Sequence, residues 1–356
     1  MRHGIKILAA VLAAASLFLC SCGMKTGTVP GGARLEKYSR IIPDAFDTVT
    51  TVSAWCGSQE QFNEIFQITE DIFTDCNKLF DIYNDYPGIN NIKSINDAAG
   101  KEPVKAEARL IDFLEFAKNI CVLTDGYVNI AMGSVLKLWH EAREFSLANP
   151  DDPVLPDDEA LKNAGRHCSI DSIVIDRNAL TVFIDDSEVS IDVGALAKGY
   201  ATELAAKVLS EKGYSRISID AGGNIRLIGE KPSGNWNIAV SNPDRDSSNP
   251  YAGTVSVSEC AIVTSGIYQR YYVHEGRCYH HIIDRDTLYP EERFKSVTVI
   301  YPDSALADAF STALFNMPFE QGEELVLATD GLEAMWIYYD NNYVFSDGFK
   351  AVYKYS

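Results

Sequence analysis

The sequence predicts an α+β protein. Segments with apolar residues at helical spacing are interspersed with segments that alternate apolar and polar residues like strands. The two kinds of segment do not follow a strict βαβα order, which argues against a doubly wound fold. The chain has 356 residues, of which 46% are hydrophobic, enough to bury a sizeable core. It contains no internal repeat, and its length allows one large domain or two small ones.

Each segment shows a residue pattern typical of a helix or of a strand. Residues 59–83 have apolar side chains at helical spacing, and residues 109–126 repeat that pattern up to Gly126. Residues 296–317 combine an alternating strand with a helix. The other β segments are rich in β-forming residues or alternate like strand pairs; they are 47–56, 172–194, 215–243 and 260–284.

The N-terminal residues predict export and a lipid anchor. Basic side chains among the first six residues precede a short apolar run at 7–19, which is typical of a signal peptide rather than a membrane-spanning helix. The Leu-Cys-Ser-Cys that ends this region resembles a bacterial lipobox. Cys22 follows the small Ser21, whereas Cys20 follows a bulky leucine. We therefore predict a signal peptide over 1–21 and lipidation at Cys22, with a plain secretory signal as the alternative.

A lipid on Cys22 is expected to hold the protein on the extracytoplasmic face of the cell membrane. Residues 22–40 are rich in Gly, Pro and polar residues without a hydrophobic period, which predicts a flexible tether before a folded part at 41–356. The six cysteines beyond Cys22 show no CxxC or Cys/His metal spacing. Export permits disulfides, but most of these cysteines lie in apolar contexts and could equally be buried free thiols.

The composition also limits the partners. The formal net charge is −19 at pH 7, which argues against nucleic acid, because phosphate backbones attract Lys and Arg. The same excess of negative charge disfavours electrostatic adsorption to anionic lipid.

Residues 191–214 place an acid, a Gly-Ala turn and a lysine where a strand is expected to run into a helix. Asp192 stands at the expected end of the strand, and Gly194 permits a turn that a side chain would obstruct. The helix is expected to begin near Leu196, with Lys198 in its first turn. A helix N-terminus offers unpaired N–H groups and positive potential, which suit a phosphate. The pattern lacks the spacing of a Walker loop, and a βα connection with a solvated lysine is the alternative.

A second candidate site lies in the helix of 296–317. Asp308 and Thr312 are four residues apart, on a common face roughly opposite Leu306 and Phe310. A carboxylate and a hydroxyl are hard oxygen ligands suited to Mg²⁺ or Ca²⁺, with water and phosphate completing the coordination. In isolation, a solvated aspartate on an exposed helix face is the simpler interpretation.

A third candidate is a pair of adjacent histidines. His280 and His281 are expected on a strand that continues to Asp284. Neighbouring strand residues point to opposite faces, so one histidine at most can serve a given site. A neutral imidazole is a natural base near pH 7, although a surface or core histidine is the commoner outcome.

Taken in order, these fragments resemble the successive motifs of the ApbE family. The resemblance covers nearly the whole chain beyond the tether and implies an ApbE-like single large domain of mixed sheets and packed helices. The matching stretches are 46–48, 89–96, 125–139, 191–203, 220–229, 261–272, 281–284 and 296–315. Two stretches depart from the family pattern. Residues 125–133 lack the Asp-Pro-Thr common in the family, and Arg285 and Leu288 stand where its members usually carry Pro and Gly.

The resemblance implies site residues where the motifs match. Phe46 is implied to contact the flavin, and His281 is implied as the general base. The carbonyl oxygen of Ala195, together with Asp308 and Thr312, is implied to hold Mg²⁺. Further contacts to FAD are implied for Tyr83, Tyr127, Val128, Asn129, Asp192, Lys198 and the backbone of Ile282.

Members of the ApbE family are FAD:protein FMN transferases, so the resemblance implies FAD as substrate. The resemblance also implies that a threonine or serine hydroxyl of an exported redox-protein subunit attacks the phosphorus on the FMN side of the pyrophosphate and that AMP leaves. The enzyme acts mainly by positioning and electrostatic stabilisation.

Two other functions remain open from the sequence. Water in place of the hydroxyl makes the protein a Mg²⁺-dependent FAD pyrophosphatase that yields FMN and AMP. A flavin-binding lipoprotein without catalysis is the third possibility, but it does not need Asp308, Thr312 and His281 together.

Overall fold

The structure, a computed structural model, describes residues 34–245 and 247–355. The predicted signal peptide and the lipidation site at Cys22 lie outside these residues. Within them, helices and strands are interspersed without βαβα alternation, so the α+β prediction is confirmed. None of the helices in the described ranges has both the length and the apolar character needed to cross a membrane.

The strands, in chain order, are β1 (Glu36–Ala45), β2 (Thr48–Cys56), β3 (Val104–Lys105), β4 (Ile173–Asp176), β5 (Thr181–Ile184), β6 (Ile217–Ala221), β7 (Asn224–Ile228), β8 (Trp236–Ser241), β9 (Tyr251–Val257), β10 (Cys260–Gly266), β11 (Tyr271–His274), β12 (Arg277–His280), β13 (Phe294–Tyr301), β14 (Glu333–Tyr338), β15 (Tyr343–Phe345) and β16 (Tyr353–Tyr355). The helices are α1 (Gln59–Phe80), α2 (Ile92–Asp97), α3 (Ala108–Leu123), α4 (Gly133–Ala148), α5 (Asp158–Gly165), α6 (Ala197–Glu211), α7 (Ser304–Asn316), α8 (Phe319–Ala328) and α9 (Asp347–Val352).

An eight-stranded sheet in the order β1-β2-β6-β7-β10-β13-β14-β15 forms the centre of the molecule. Each neighbouring pair in it is antiparallel. Helices α1, α6 and α7 pack on one face and build the largest apolar core. A three-stranded sheet in the order β16-β9-β8 covers the other face, together with α9. Helices α4 and α5 and the hairpin β11–β12 form a third cluster.

Three predicted boundaries are corrected by the structure. Residues 36–40, expected in the tether, already belong to β1, which pairs with β2 along its length. Helix α1 ends at Phe80 because the carboxylate of Asp81 accepts the N–H groups of Tyr83 and Asn84 at 2.6 and 3.0 Å, which closes a turn. The chain before Asp192 is not a regular strand: after β5 it makes a single bridge, between Ser190 and Met132.

The cysteines of the described ranges are all free thiols. Four of the six are buried, and burial raises the pKa of Cys76 and of Cys260 to about 12. These thiols therefore stay protonated near neutral pH and pack as small apolar side chains.

Candidate active site

Helices α6 and α7 meet at a glycine. The N–H of Gly199, in the first turn of α6, donates to Oδ2 of Asp308 on α7 at 2.8 Å. A Cβ atom at position 199 would lie 2.5 Å from Cβ of Asp308 and 2.6 Å from the carbonyl oxygen of Ser304. Glycine is therefore required for the two helices to approach so closely, which the sequence pattern alone did not reveal.

Asp308 is buried, with only 5% of its surface exposed. The expectation that it lies on a face away from the core is wrong, because α7 is packed between α6 and the main sheet and is buried on almost every side. Burial raises the pKa of Asp308, and the positive charge of Lys198, the Gly199 N–H and the nearby Asn224 amide oppose that rise. Asp308 is therefore a buried carboxylate beside a lysine, and not the solvated surface aspartate of the simpler interpretation.

The hydrogen bond of Gly199 has a consequence for Ala195. In a regular helix this N–H would donate to the carbonyl oxygen four residues earlier, which is that of Ala195. Because it donates to Asp308 instead, the Ala195 oxygen receives no hydrogen bond from any described residue. The Ala195 carbonyl oxygen is thus available to a ligand, because the Asp308 carboxylate has replaced it as the acceptor of the Gly199 N–H.

Hydroxyl groups complete this side of the site. Oγ of Ser265, at the end of β10, lies 2.9 Å from Oγ of Ser311 and 3.4 Å from Oγ1 of Thr312. Ser311 also donates to the backbone oxygen of Asp308 at 3.0 Å. Thr312 could be predicted from the sequence, but Ser265 could not, because its only signal is that alternation along β10 points it to the same side as the helices.

The first turn of α6 offers less to an anion than its sequence predicted. The N–H of Ala197 donates to the Val193 carbonyl oxygen, and that of Gly199 donates to Asp308. Between them, the N–H of Lys198 makes no hydrogen bond to a described residue. The ammonium group of Lys198 is the stronger element, since its charge acts on both Asp308 and His281.

The two histidines lie in different environments, and β12 ends at His280, so His281 lies just beyond the strand on which both were expected. His280 is 3% exposed, and its Nε2 lies 2.7 Å from the Glu291 carbonyl oxygen, while its Nδ1 accepts the Ile282 N–H at 3.3 Å. Both nitrogens are therefore used within the fold.

His281 is half-buried, and its Nδ1 lies 3.2 Å from the carbonyl oxygen of Arg270. A carbonyl can only accept, so Nδ1 carries the proton and Nε2 keeps a free lone pair. Burial lowers the pKa of His281 to about 3, with further contributions from His280, Arg270 and Lys198. The imidazole is therefore neutral near pH 7, as a base requires.

Arg270, which the sequence analysis did not single out, connects His281 to a second group of site residues. Its charge opposes the rise that burial causes in the pKa of Asp192. Asp192 accepts the Gly194 N–H at 2.9 Å, which holds the carboxylate over the turn before α6. Tyr83 lies near the same carboxylate; it is 56% exposed, and its pKa is raised by burial and then by Asp192.

Phe46 reaches the same region from the tip of the β1–β2 hairpin. It has a positive φ of 57°, and Asp47 follows with 53°, the geometry of a two-residue type I′ turn. The ring is half-buried and packs 6.0 Å from Phe73. Asp47 lies 3.7 Å from Arg270, so the hairpin tip borders the Arg270 group.

Residues 125–129 fit their implied role less well. The Arg285 guanidinium stacks 4.0 Å from the centre of the Tyr127 ring. Val128 is 2% exposed, with its side chain in the main core. Asn129 donates to the Cys168 carbonyl oxygen at 2.8 Å and accepts the Ala131 N–H at 2.9 Å. The structure therefore does not present the Val128 side chain to a ligand, and the Asn129 amide already has partners on both sides.

Ile282 is constrained in the same way. Its N–H donates to His280 and its carbonyl oxygen accepts the Glu291 N–H at 3.1 Å. The side chain is 6% exposed. No free N–H remains at Ile282 for the expected contact to FAD.

These contacts define an α+β protein whose site joins a buried carboxylate, a free carbonyl oxygen and a lysine with a neutral imidazole. The chain belongs to the ApbE family, whose sequence profile matches residues 46–336.

Individual proteins that are similar to this chain carry names consistent with that family. The FAD:protein FMN transferase of Treponema pallidum (strain Nichols) is 29% identical over 334 residues, which cover 90% of this chain and 89% of that protein. The protein of the same name from Vibrio cholerae serotype O1 is 30% identical over 255 residues, covering 70% and 74%. The crystal structure of the ApbE protein of Thermotoga maritima superposes with a TM-score of 0.77 at 27% identity, covering 89% of this chain and 99% of that one. The predicted fold is confirmed.

Proposed function

We propose that the protein is an FAD:protein FMN transferase that moves FMN from FAD to a threonine or serine hydroxyl of another protein. Membership of the ApbE family and similarity to proteins with that name support the proposal. The observation that carries it is the α6–α7 junction, where Asp308 and the unpaired Ala195 oxygen lie beside Lys198.

The donor set at this junction fits Mg²⁺. The described residues contain no cluster of three His, Cys, Asp or Glu side chains that could hold a metal. One carboxylate, a backbone carbonyl and a hydroxyl are hard oxygen donors, and Mg²⁺ commonly binds one carboxylate together with substrate phosphates. Asp308, Ala195 and Thr312 are the proposed ligands. Bound there, Mg²⁺ supplies positive charge to the pyrophosphate of FAD.

Lys198 adds a second positive charge on the same side. Its ammonium group is near enough to Asp308 and His281 to act on the pKa of each. We propose that it binds the pyrophosphate and offsets the charge that develops as the bond to AMP breaks. Phe46, Tyr83 and Asp192 are the proposed walls for the remainder of FAD.

His281 is the proposed general base. Because its Nδ1 proton is held by the Arg270 carbonyl, Nε2 is the nitrogen that can take a proton from the acceptor hydroxyl. The hydroxyl oxygen then forms the new bond to the FMN phosphorus, the phosphoanhydride bond breaks, and AMP leaves. The products are AMP and an FMN phosphoester on the acceptor protein.

The proposed location is the extracytoplasmic face of the membrane, through a lipid on Cys22, where acceptor domains of membrane redox complexes are accessible. Cys22→Ser is expected to block lipid attachment, because only a thiol forms the thioether. Labelling cells with a radioactive fatty acid measures this, with wild type as control. Normal labelling of the variant moves the anchor to Cys20.

The function is tested by incubating the protein with FAD, Mg²⁺ and a purified FMN-acceptor domain of a membrane redox complex. Flavin fluorescence of the acceptor on a denaturing gel detects covalent transfer, and an acceptor whose threonine is replaced by valine is the control. Labelling of the wild-type acceptor alone supports the proposal. Release of FMN and AMP without labelling assigns the pyrophosphatase activity instead, and binding of FAD without either product overturns catalysis.

A further inference from the structure

A cavity lies outside the candidate active site. It has a volume of about 340 Å³ and is situated between the main sheet and the three-stranded sheet. Its walls include Ile225 of β7, Thr264 of β10 and the four consecutive β8 residues 238–241. None of the residues proposed to bind FAD or Mg²⁺ or to act as base lines it. The cavity is therefore separate from the residues proposed for FAD, Mg²⁺ and the base.

Two strands connect the cavity to the active site. Thr264 lines the cavity, whereas the next residue, Ser265, points to the other face of the sheet and contacts Thr312. On β7, Ile225 lines the cavity, and the preceding Asn224 accepts the Ser304 hydroxyl at 2.6 Å on the helix side. Alternation along a strand thus places the two sites on opposite faces of one sheet, a single residue step apart.

The cavity follows an unpaired strand edge. In the described part of the chain, β8 is the outer strand of its sheet and pairs with β9 alone. Its other edge presents N–H and C=O groups that can pair with a further strand. Four consecutive β8 residues, rather than every second residue, line the cavity.

One end of the cavity is formed by an arginine and a tyrosine. The Arg245 guanidinium lies 4.3 Å from the centre of the Tyr268 ring, a distance typical of a cation–π contact. Arg245 lines the cavity, and its guanidinium N–H groups are donors suited to peptide carbonyl oxygens. Tyr268 belongs to the segment that leads to Arg270, which orients His281.

We propose that the cavity and the free edge of β8 bind an extended segment of the acceptor polypeptide, next to the residue that receives FMN. The inference rests on the proposed transferase function. Addition of a strand to a free sheet edge is a recurring mode of peptide recognition, in which main-chain hydrogen bonds supply affinity. The cavity then holds side chains of acceptor residues that neighbour the modified threonine or serine. The acceptor chain passes the end of the main sheet, so that the hydroxyl reaches the face that carries Asp308 and His281.

Ala239→Trp tests this assignment, with Asn237→Trp as its matched control. Both residues are exposed on β8 and share one face, but only Ala239 lines the cavity. Trp is well tolerated in strands, so both variants are expected to fold. Initial rates of FMN transfer to the acceptor domain, at varied acceptor and at varied FAD, give separate KM values. Ala239→Trp is expected to raise the acceptor KM about tenfold or more and to leave the FAD KM unchanged.

Asn237→Trp is expected to change neither KM. Arg245→Ala provides a second variant and is expected to raise the acceptor KM in the same direction. An unchanged acceptor KM in both Ala239→Trp and Arg245→Ala overturns the inference while transfer by wild type still supports the proposed function. A rise in the FAD KM alone assigns the cavity to FAD and equally overturns it. Failure of wild type to modify the acceptor at all is the separate outcome that removes the proposed function.

Discussion

The α6–α7 junction and the loop at 125–129 were both expected to contact the substrate, but their polar groups are used differently. At the junction, the Gly199 N–H turns to Asp308 and leaves the Ala195 oxygen without a hydrogen bond among the described residues. In the loop, Asn129 uses both ends of its amide to hold neighbouring backbone. Groups at the junction are thus available to a ligand, whereas those of Asn129 and Val128 serve the fold. A motif match identifies a position in the chain, and the hydrogen bonds decide what that position can do.

The largest effect is expected at the junction. Asp308→Ala should abolish FMN transfer, because it removes the only carboxylate of the proposed metal site. It also leaves the Gly199 N–H without its partner, which costs roughly 1–3 kcal/mol of unfolding free energy. Asp308→Asn keeps an oxygen near that N–H and is the control that separates stability from chemistry. Transfer rates and urea unfolding of both variants measure the two effects; wild-type transfer by Asp308→Asn contradicts the metal assignment.

The histidine pair gives the next effect. His281→Ala should lower the single-turnover rate by roughly 10²–10⁴-fold, the usual contribution of a general base, with little change in FAD affinity. His280→Ala should instead lower stability by roughly 1–3 kcal/mol, because it leaves buried groups unpaired, and keep the turnover of folded protein. Equal rates in the two variants place the base elsewhere, such as Asp192.

The pH dependence sharpens the assignment of His281. A histidine with the ordinary pKa of about 6.5 would lose its contribution to the rate as pH falls through that value. In the structure, burial first and then nearby positive groups lower the pKa of His281 to about 3. Because the neutral form is the active one, the rate attributable to this base should stay level as pH falls from 7 to 5 and decline only near the lowered pKa. A rate that halves near pH 6.5 in wild type contradicts the buried setting of His281.

The smallest catalytic effect is expected in the loop. Val128→Ala removes two carbon atoms from the core and should destabilise the protein by roughly 1–3 kcal/mol, about twice the cost of the one-carbon change Ile→Val. The KM for FAD should stay close to that of wild type. Thermal unfolding and FAD titration measure both quantities, with Tyr127→Phe as a control that keeps the ring under Arg285. A large rise in the FAD KM for Val128→Ala shows that the loop rearranges to expose this side chain.

Most of the fold and the centre of the site could be predicted from the sequence. The apolar period located α1, α3 and α7 because amphipathic spacing follows directly from burial, and the Gly-Ala turn located the start of α6. Asp308 and Thr312 could be paired because four residues make about one helical turn. The burial of Asp308 could not be predicted, since it depends on how closely Gly199 lets α6 approach. Ser265 and Arg270 were missed because their role depends on strand pairing and on a backbone contact distant in sequence.

The most direct test of the proposed FMN transfer is the intact mass of an FMN-acceptor domain after incubation with the protein, FAD and Mg²⁺. Wild-type protein is expected to add one FMN to the acceptor, while Asp308→Asn, with its fold preserved, is expected to add none. An acceptor that gains FMN equally with Asp308→Asn in chelator-treated buffer contradicts the proposed metal site. An acceptor that gains none with wild type contradicts the proposed transfer.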